Sequence, residues 1–215
     1  MSSTARERRR YLTSARIAGA AILLAACSPG RGDADILRIS ATEPVRYATL
    51  REVAAASSVV VEGVVVAVRP HRIVGDAEPA DGPEPFEAYE VSTIDVEVAR
   101  VLAGTLDGDR VSFPWMTREK LEDGEPGRRV VVNGLPPPEV GDRYLLFLRE
   151  ILPADAESTG SAPPTHAVVV FESLLRVDRG RLASDYEGGR FAADLVGRDP
   201  AEVVAEVADA VGTAP

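Results

Sequence analysis

The chain has 215 residues, 45% of them hydrophobic, with 34 acidic against 24 basic side chains and a net charge of −10. That acid excess repels nucleic acid and anionic lipid surfaces, and no basic stripe with interleaved aromatics offsets it, so no nucleic-acid partner is expected. One cysteine rules out an internal disulfide or a cysteine-based zinc cluster, and the length suits one domain of ordinary size.

Arg6, Arg8, Arg9, Arg10 and Arg16 form a cationic leader, followed by an uncharged run over 17–26. The run is shorter than the roughly 20 apolar residues a membrane span needs, and it reads as the hydrophobic region of a signal peptide covering residues 1–26. It ends Leu24-Ala25-Ala26-Cys27, which resembles the lipobox of bacterial lipoproteins. The resemblance implies cleavage before Cys27 and a diacylglyceryl thioether on its sulfur. The protein is then expected on the extracytoplasmic face of the cell membrane, where two acyl chains anchor stably and one does not. Arg8 and Arg9, followed by Tyr11 and Leu12, also resemble a twin-arginine export pair, but Glu7 and Thr13 depart from that pattern, so the general export route ranks ahead. Removing residues 1–26 takes away five arginines and one glutamate, so the expected mature chain carries −14.

Residues 27–35 read as the lipidated cysteine and a Pro- and Gly-broken tether; its Arg31-Gly32-Asp33 is taken as linker. Thr49 and Glu52 form a capping box for a short helix to Ala56, and a Val-rich strand runs from Val59 to Val68 with a bulge or sharp bend expected at Glu62-Gly63. Pro70 to Pro85 reads as a solvated loop. Ile94, Val96 and Val98 alternate with Asp95, Glu97 and Ala99 as a half-buried strand, and a turn at 107–109 leads into a strand from Arg110 to Trp115. Met116 to Pro138 is read as a long loop holding one short strand, Arg128 to Val132. Arg143 to Leu148, apolar on both faces, should be a central buried strand. After a loop from Pro153 to Thr165, Val168–Val177 and Gly180–Ala183 form a hairpin turning at Asp178-Arg179-Gly180. Asp199 before Pro200 starts a closing helix with Val203, Val204, Val207 and Val211 on one stripe. The expected architecture is mainly β: a five- to six-stranded barrel over 36–183, a short N-terminal helix, and a C-terminal segment 184–215 with a helix.

The runs Val59–Val65, Val96–Gly104 and Gly141–Leu148 together resemble the strand signature of uncharacterised bacterial secreted proteins. Their modules are similar to the netrin and tissue-inhibitor-of-metalloproteinase module, an OB-type barrel. The resemblance covers roughly Leu50 to Ser184 and implies the fold alone, because the inhibitors use disulfides and a free N-terminal cysteine that this chain lacks.

His71 and His166 are the two histidines, both beside loops, and neither lies in a metal-binding spacing or beside a Gly-x-Ser-x-Gly motif. No catalytic residue, metal ligand set or cofactor is assigned. The acids at 76–87 and 122–125 lack the alternation of a calcium loop, and Phe113, Trp115 and Tyr144 read as core, with Trp115 able to sit at a rim. These features point to a non-enzymatic, membrane-anchored module that binds another envelope protein through its loops. Two readings stand behind it: an envelope hydrolase or metal-dependent binder using His71, His166 and loop acids, and a protease inhibitor by fold analogy.

Overall fold

The computed structural model of the chain describes residues 35–43, 45–75, 88–121, 125–151, 164–186 and 189–211. Arg8, Arg9 and Leu24-Ala25-Ala26-Cys27, like the acids of 76–85 and 122–124, lie outside them. In chain order the elements are β1 (Ile36–Ile39), α1 (Leu50–Ala56), β2 (Val59–Gly75), β3 (Ala88–Gly104), β4 (Arg110–Lys120), β5 (Pro126–Val132), β6 (Arg143–Glu150), β7 (His166–Val168), a 3-10 turn (Phe171–Ser173), β8 (Leu174–Asp178), β9 (Arg181–Ala183), α2 (Phe191–Leu195) and α3 (Pro200–Val211). The strands make one sheet in the order β1-β5-β4-β3-β2-β6-β8-β9, with β7 also paired to β6. All neighbours are antiparallel except β1 and β5.

The mainly-β expectation holds, but nine strands among the described residues replace the expected five or six. β2 does not stop at Val68. It continues through Pro70 to Gly75, paired to β3 along its whole length. β6 covers the other side of β2 only from Val59 to Val64, so Pro70 sits where its missing N–H breaks no second ladder. In the same way β4 passes through Pro114 to Lys120, and Met116 to Pro138 is mostly strand rather than loop. The Val168–Val177 run splits because the chain turns at Phe171–Ser173, where the buried Ser173 hydroxyl donates to Val170 O at 2.5 Å.

The sheet curls through register slips in β2 between Val60 and Val61, Glu62 and Gly63, Val65 and Ala67, and Pro70 and Arg72. The expected bend at Glu62-Gly63 is one of them. Gly63 is required there by proximity: an added Cβ would lie 2.5 Å from Val96 Cγ1 and 2.6 Å from Glu97 O. Curling brings β4 to the chain entering β7, where Thr165 N donates to Ser112 O at 3.1 Å and Ser112 N donates to Thr165 Oγ1 at 3.2 Å.

Two cores lie on opposite faces of this sheet. Within the curl, Val59, Val61, Ile94, Val96, Phe113, Trp115, Leu146 and Leu148 pack together. On the outer face, Val60, Leu145, Phe147 and Leu175 meet Leu50 and Val53 of α1, Phe191 and Leu195 of α2, and Val203 and Val207 of α3. Strand alternation makes this division: along β6, Leu145 and Phe147 face the helices while Leu146 and Leu148 face the curl. Both predicted helix starts are present. Thr49 Oγ1 accepts from Glu52 N at 3.3 Å while Glu52 Oε2 accepts from Thr49 N, and Asp199 Oδ1 accepts from Ala201 N at 2.8 Å. The β8–β9 turn is carried by Arg179 and Gly180, both at positive φ (49° and 77°), as a two-residue hairpin of matching twist requires.

Candidate functional site

A cleft of about 500 Å³ opens where the two cores meet. Its walls are Ala41, Thr42, Glu43, Val45 and Tyr47 from the β1–α1 connection, Ala56 at the end of α1, Arg149 near the end of β6, and the run Val168–Phe171. Tyr47, Val169 and Val170 belong to the helix-covered core, whereas Ala41, Val168 and Phe171 pack on the core within the curl. Val45 stands at the cleft 49% exposed, a large apolar side chain left in water. The volume falls in the range of ligand sites, and the lining is apolar with few polar groups, the composition such sites share.

The charged groups of the lining are Glu43 and Arg149. Glu43 is already engaged: Oε1 accepts from Phe171 N–H and Oε2 from the Tyr186 hydroxyl at 3.1 Å. These bonds pin Glu43 to the 3-10 turn and to Tyr186 beyond β9, and so fix one wall. Burial and the neighbouring Glu43 charge push the Tyr186 hydroxyl up to about 12, so it remains a proton donor at neutral pH. Phe171 is held from behind by Trp115, ring edge to face at 5.6 Å and 88°, and Trp115 in turn meets Phe113 at 6.4 Å and 89°. The Arg149 guanidinium forms no hydrogen bond or ion pair with the described residues, and the residue is exposed. The cleft therefore combines a pre-formed apolar wall with a guanidinium unpaired among the described residues.

A second, open cleft of about 730 Å³ lies at the other end of β1, lined by Asp35, Ile36, Arg118, Leu121, Arg128 and Arg129 among others. Its charges are largely consumed. Arg128 pairs with Glu119 at 2.8 Å and holds that carboxyl below its usual value, and Arg129 pairs with Glu139 at 2.6 Å. On the sheet face, buried Glu62 of β2 accepts from Arg100 of β3 at 2.5 Å and from Arg143 of β6 at 2.8 Å. That triad stitches three adjacent strands and presents no free group.

His71 lies on β2 and His166 at the start of β7, and among the described residues no group of three or more His, Cys, Asp or Glu gathers around either. His166 is 9% exposed, its Nδ1 is 2.7 Å from Thr165 Oγ1, and burial lowers its pKa against the raising effect of Glu150. It thus supports the bond between β4 and β7. His71 is likewise lowered, by burial first and then by Arg72 and Arg69. Phe113, Trp115 and Tyr144 are all core; Trp115 is 3% exposed, and it backs the cleft wall instead of forming a rim. Of the three expected loop sites, Met116–Pro138 is largely sheet, and most of the other two lies outside the described residues.

The cleft residues had no sequence signature, since they come from segments about a hundred residues apart. The available hint was Arg149, a cation ending the buried β6 run. Neither a known protein family nor a curated protein matches this chain.

Proposed function

We propose that the chain is an exported lipoprotein, held by lipid on Cys27 at the extracytoplasmic face of the cell membrane, that presents an OB-type, netrin-like module and binds another envelope protein. The partner seats in the cleft between Ala41, Thr42, Glu43, Val45 and Tyr47 on one side and Val168–Phe171 on the other. The observation that carries this reading is the cleft itself: an apolar wall pinned by Glu43 and Trp115, with Val45 exposed at its edge. An exposed apolar surface beside fixed polar groups is the usual mark of an interaction site. The OB-type assignment is supported by the register slips of β2 and by the Ser112–Thr165 bonds. The anchor is supported by Leu24-Ala25-Ala26-Cys27.

A photo-crosslinking residue placed at Val45 in the full-length protein, in cells, tests the site. The expected result is one discrete crosslinked protein, absent with the same residue at Asp107 in the β3–β4 turn. Equal products from both positions, or none from Val45, overturn the cleft as the partner surface. Labelling the same cells with an alkyne fatty acid tests the anchor separately: incorporation is expected in the parent and lost in Cys27→Ala, and an unlabelled parent removes the lipoprotein reading.

A further inference from the structure

The cleft has one cation in its lining, Arg149, and that cation has no partner among the described residues. The one acid in the lining does not serve it: Glu43 accepts from Phe171 N–H and from the Tyr186 hydroxyl, and it forms no ion pair with Arg149. The two charges also come from different segments of the chain. Arg149 extends from β6, on the same face as Phe147, while Glu43 is on the β1–α1 connection. What remains is a concave apolar wall of Val45, Tyr47, Val168, Val169 and Phe171 with a guanidinium at hand. Such a site complements an apolar group that ends in a negative charge. A guanidinium offers two parallel donors, which suit the two oxygens of a carboxylate.

We propose that the cleft captures the C-terminal carboxylate of an apolar chain end of the partner protein, with Arg149 binding the carboxylate and the valine-rich wall taking the last side chains. This rests on the cleft being the partner site. A chain end supplies both features at once, an apolar segment and an obligatory carboxylate, and C-terminal capture is an established mode of peptide recognition. An internal segment would need an acidic side chain placed beside apolar ones, and it would have to leave the cleft at both ends.

The test uses the full-length lipidated protein in phosphatidylcholine nanodiscs, so that no detergent competes for the cleft. The probe is a fluorescein-labelled hexapeptide ending in valine and leucine, prepared as the free acid and as the C-terminal amide, with binding followed by anisotropy. The free acid should bind about fivefold more tightly than the amide, the effect of one charge-assisted contact at a partly exposed site. Arg149→Gln should bring the two forms to equal affinity, and Arg149→Lys should restore part of the preference. Equal binding of acid and amide by the parent protein overturns the inference, as does a preference that survives Arg149→Gln. Binding of dodecanoate without binding of either peptide also overturns it, since the anion would then be a fatty acid. A discrete crosslink from Val45 together with any of these results removes the carboxylate inference alone; loss of the crosslink removes the partner site with it.

Discussion

Glu172 shows how one residue couples folding to pH. It is 5% exposed at the 3-10 turn, and one carboxylate oxygen accepts from Arg190 N at 2.9 Å at the entrance to α2. Burial raises its pKa above the ordinary 4.5, more than its backbone hydrogen bonds lower it. A carboxyl raised in this way holds its proton more tightly folded than unfolded. Its contribution to stability is therefore fully present below the unfolded value and is lost as pH rises through the folded one. Glu172→Gln removes that dependence. In urea titrations over a pH series, parent stability should gain on the variant as pH falls toward 4.5 and level off below it. A difference that stays flat across this window would place the carboxyl in water.

At the scale of elements, the bend in β2 is what turns a ribbon into a curl, and Gly63 permits it. Gly63→Ala forces a methyl group against Glu97 O and Val96, so β2 and β3 must separate locally. Overpacking of this kind costs about 1–3 kcal/mol, and the variant should show that loss in urea unfolding; an unchanged midpoint would mean that the strands yield freely. This bend was legible beforehand because a glycine inside a valine run has few other uses. The capping box at Thr49 and the buried run of β6 were legible for the same reason: each is a short-range pattern with one physical solution. β1 and β7 were not. Ile36–Ile39 is four residues long, without alternation, and becomes a strand because β5 offers it an edge, while the three residues of β7 are a strand because β6 pairs with them and Ser112 holds Thr165 just before them. Pro70 and Pro114 concealed continuity, since a proline in sequence announces a break that an unpaired neighbouring edge makes unnecessary. The cleft was hidden for another reason: its lining comes from four segments distant in sequence, which only the completed fold brings together.

At the scale of the whole folded unit, the two cores share β2 and β6, whose alternate residues enter one core and then the other. Neither core can be dismantled without exposing the apolar reverse face of the same strands, so they should melt together. The sole tryptophan, Trp115, reports the core within the curl, while α1 and α3 report the other. Tryptophan fluorescence and far-ultraviolet circular dichroism should give coincident denaturation curves. Separate midpoints would show that the helices leave the sheet first.

The far end of the sheet carries a different consequence. β9 would be an open edge, but Leu182 N donates to Arg198 O at 3.0 Å and its carbonyl accepts from Gly197 N at 2.7 Å. The residues joining α2 to α3 therefore occupy the backbone groups that another strand would need. Exposed edges are where β proteins recruit neighbours into aggregates. With this one shut from within the chain, copies crowded side by side have no template there on which to grow a shared sheet.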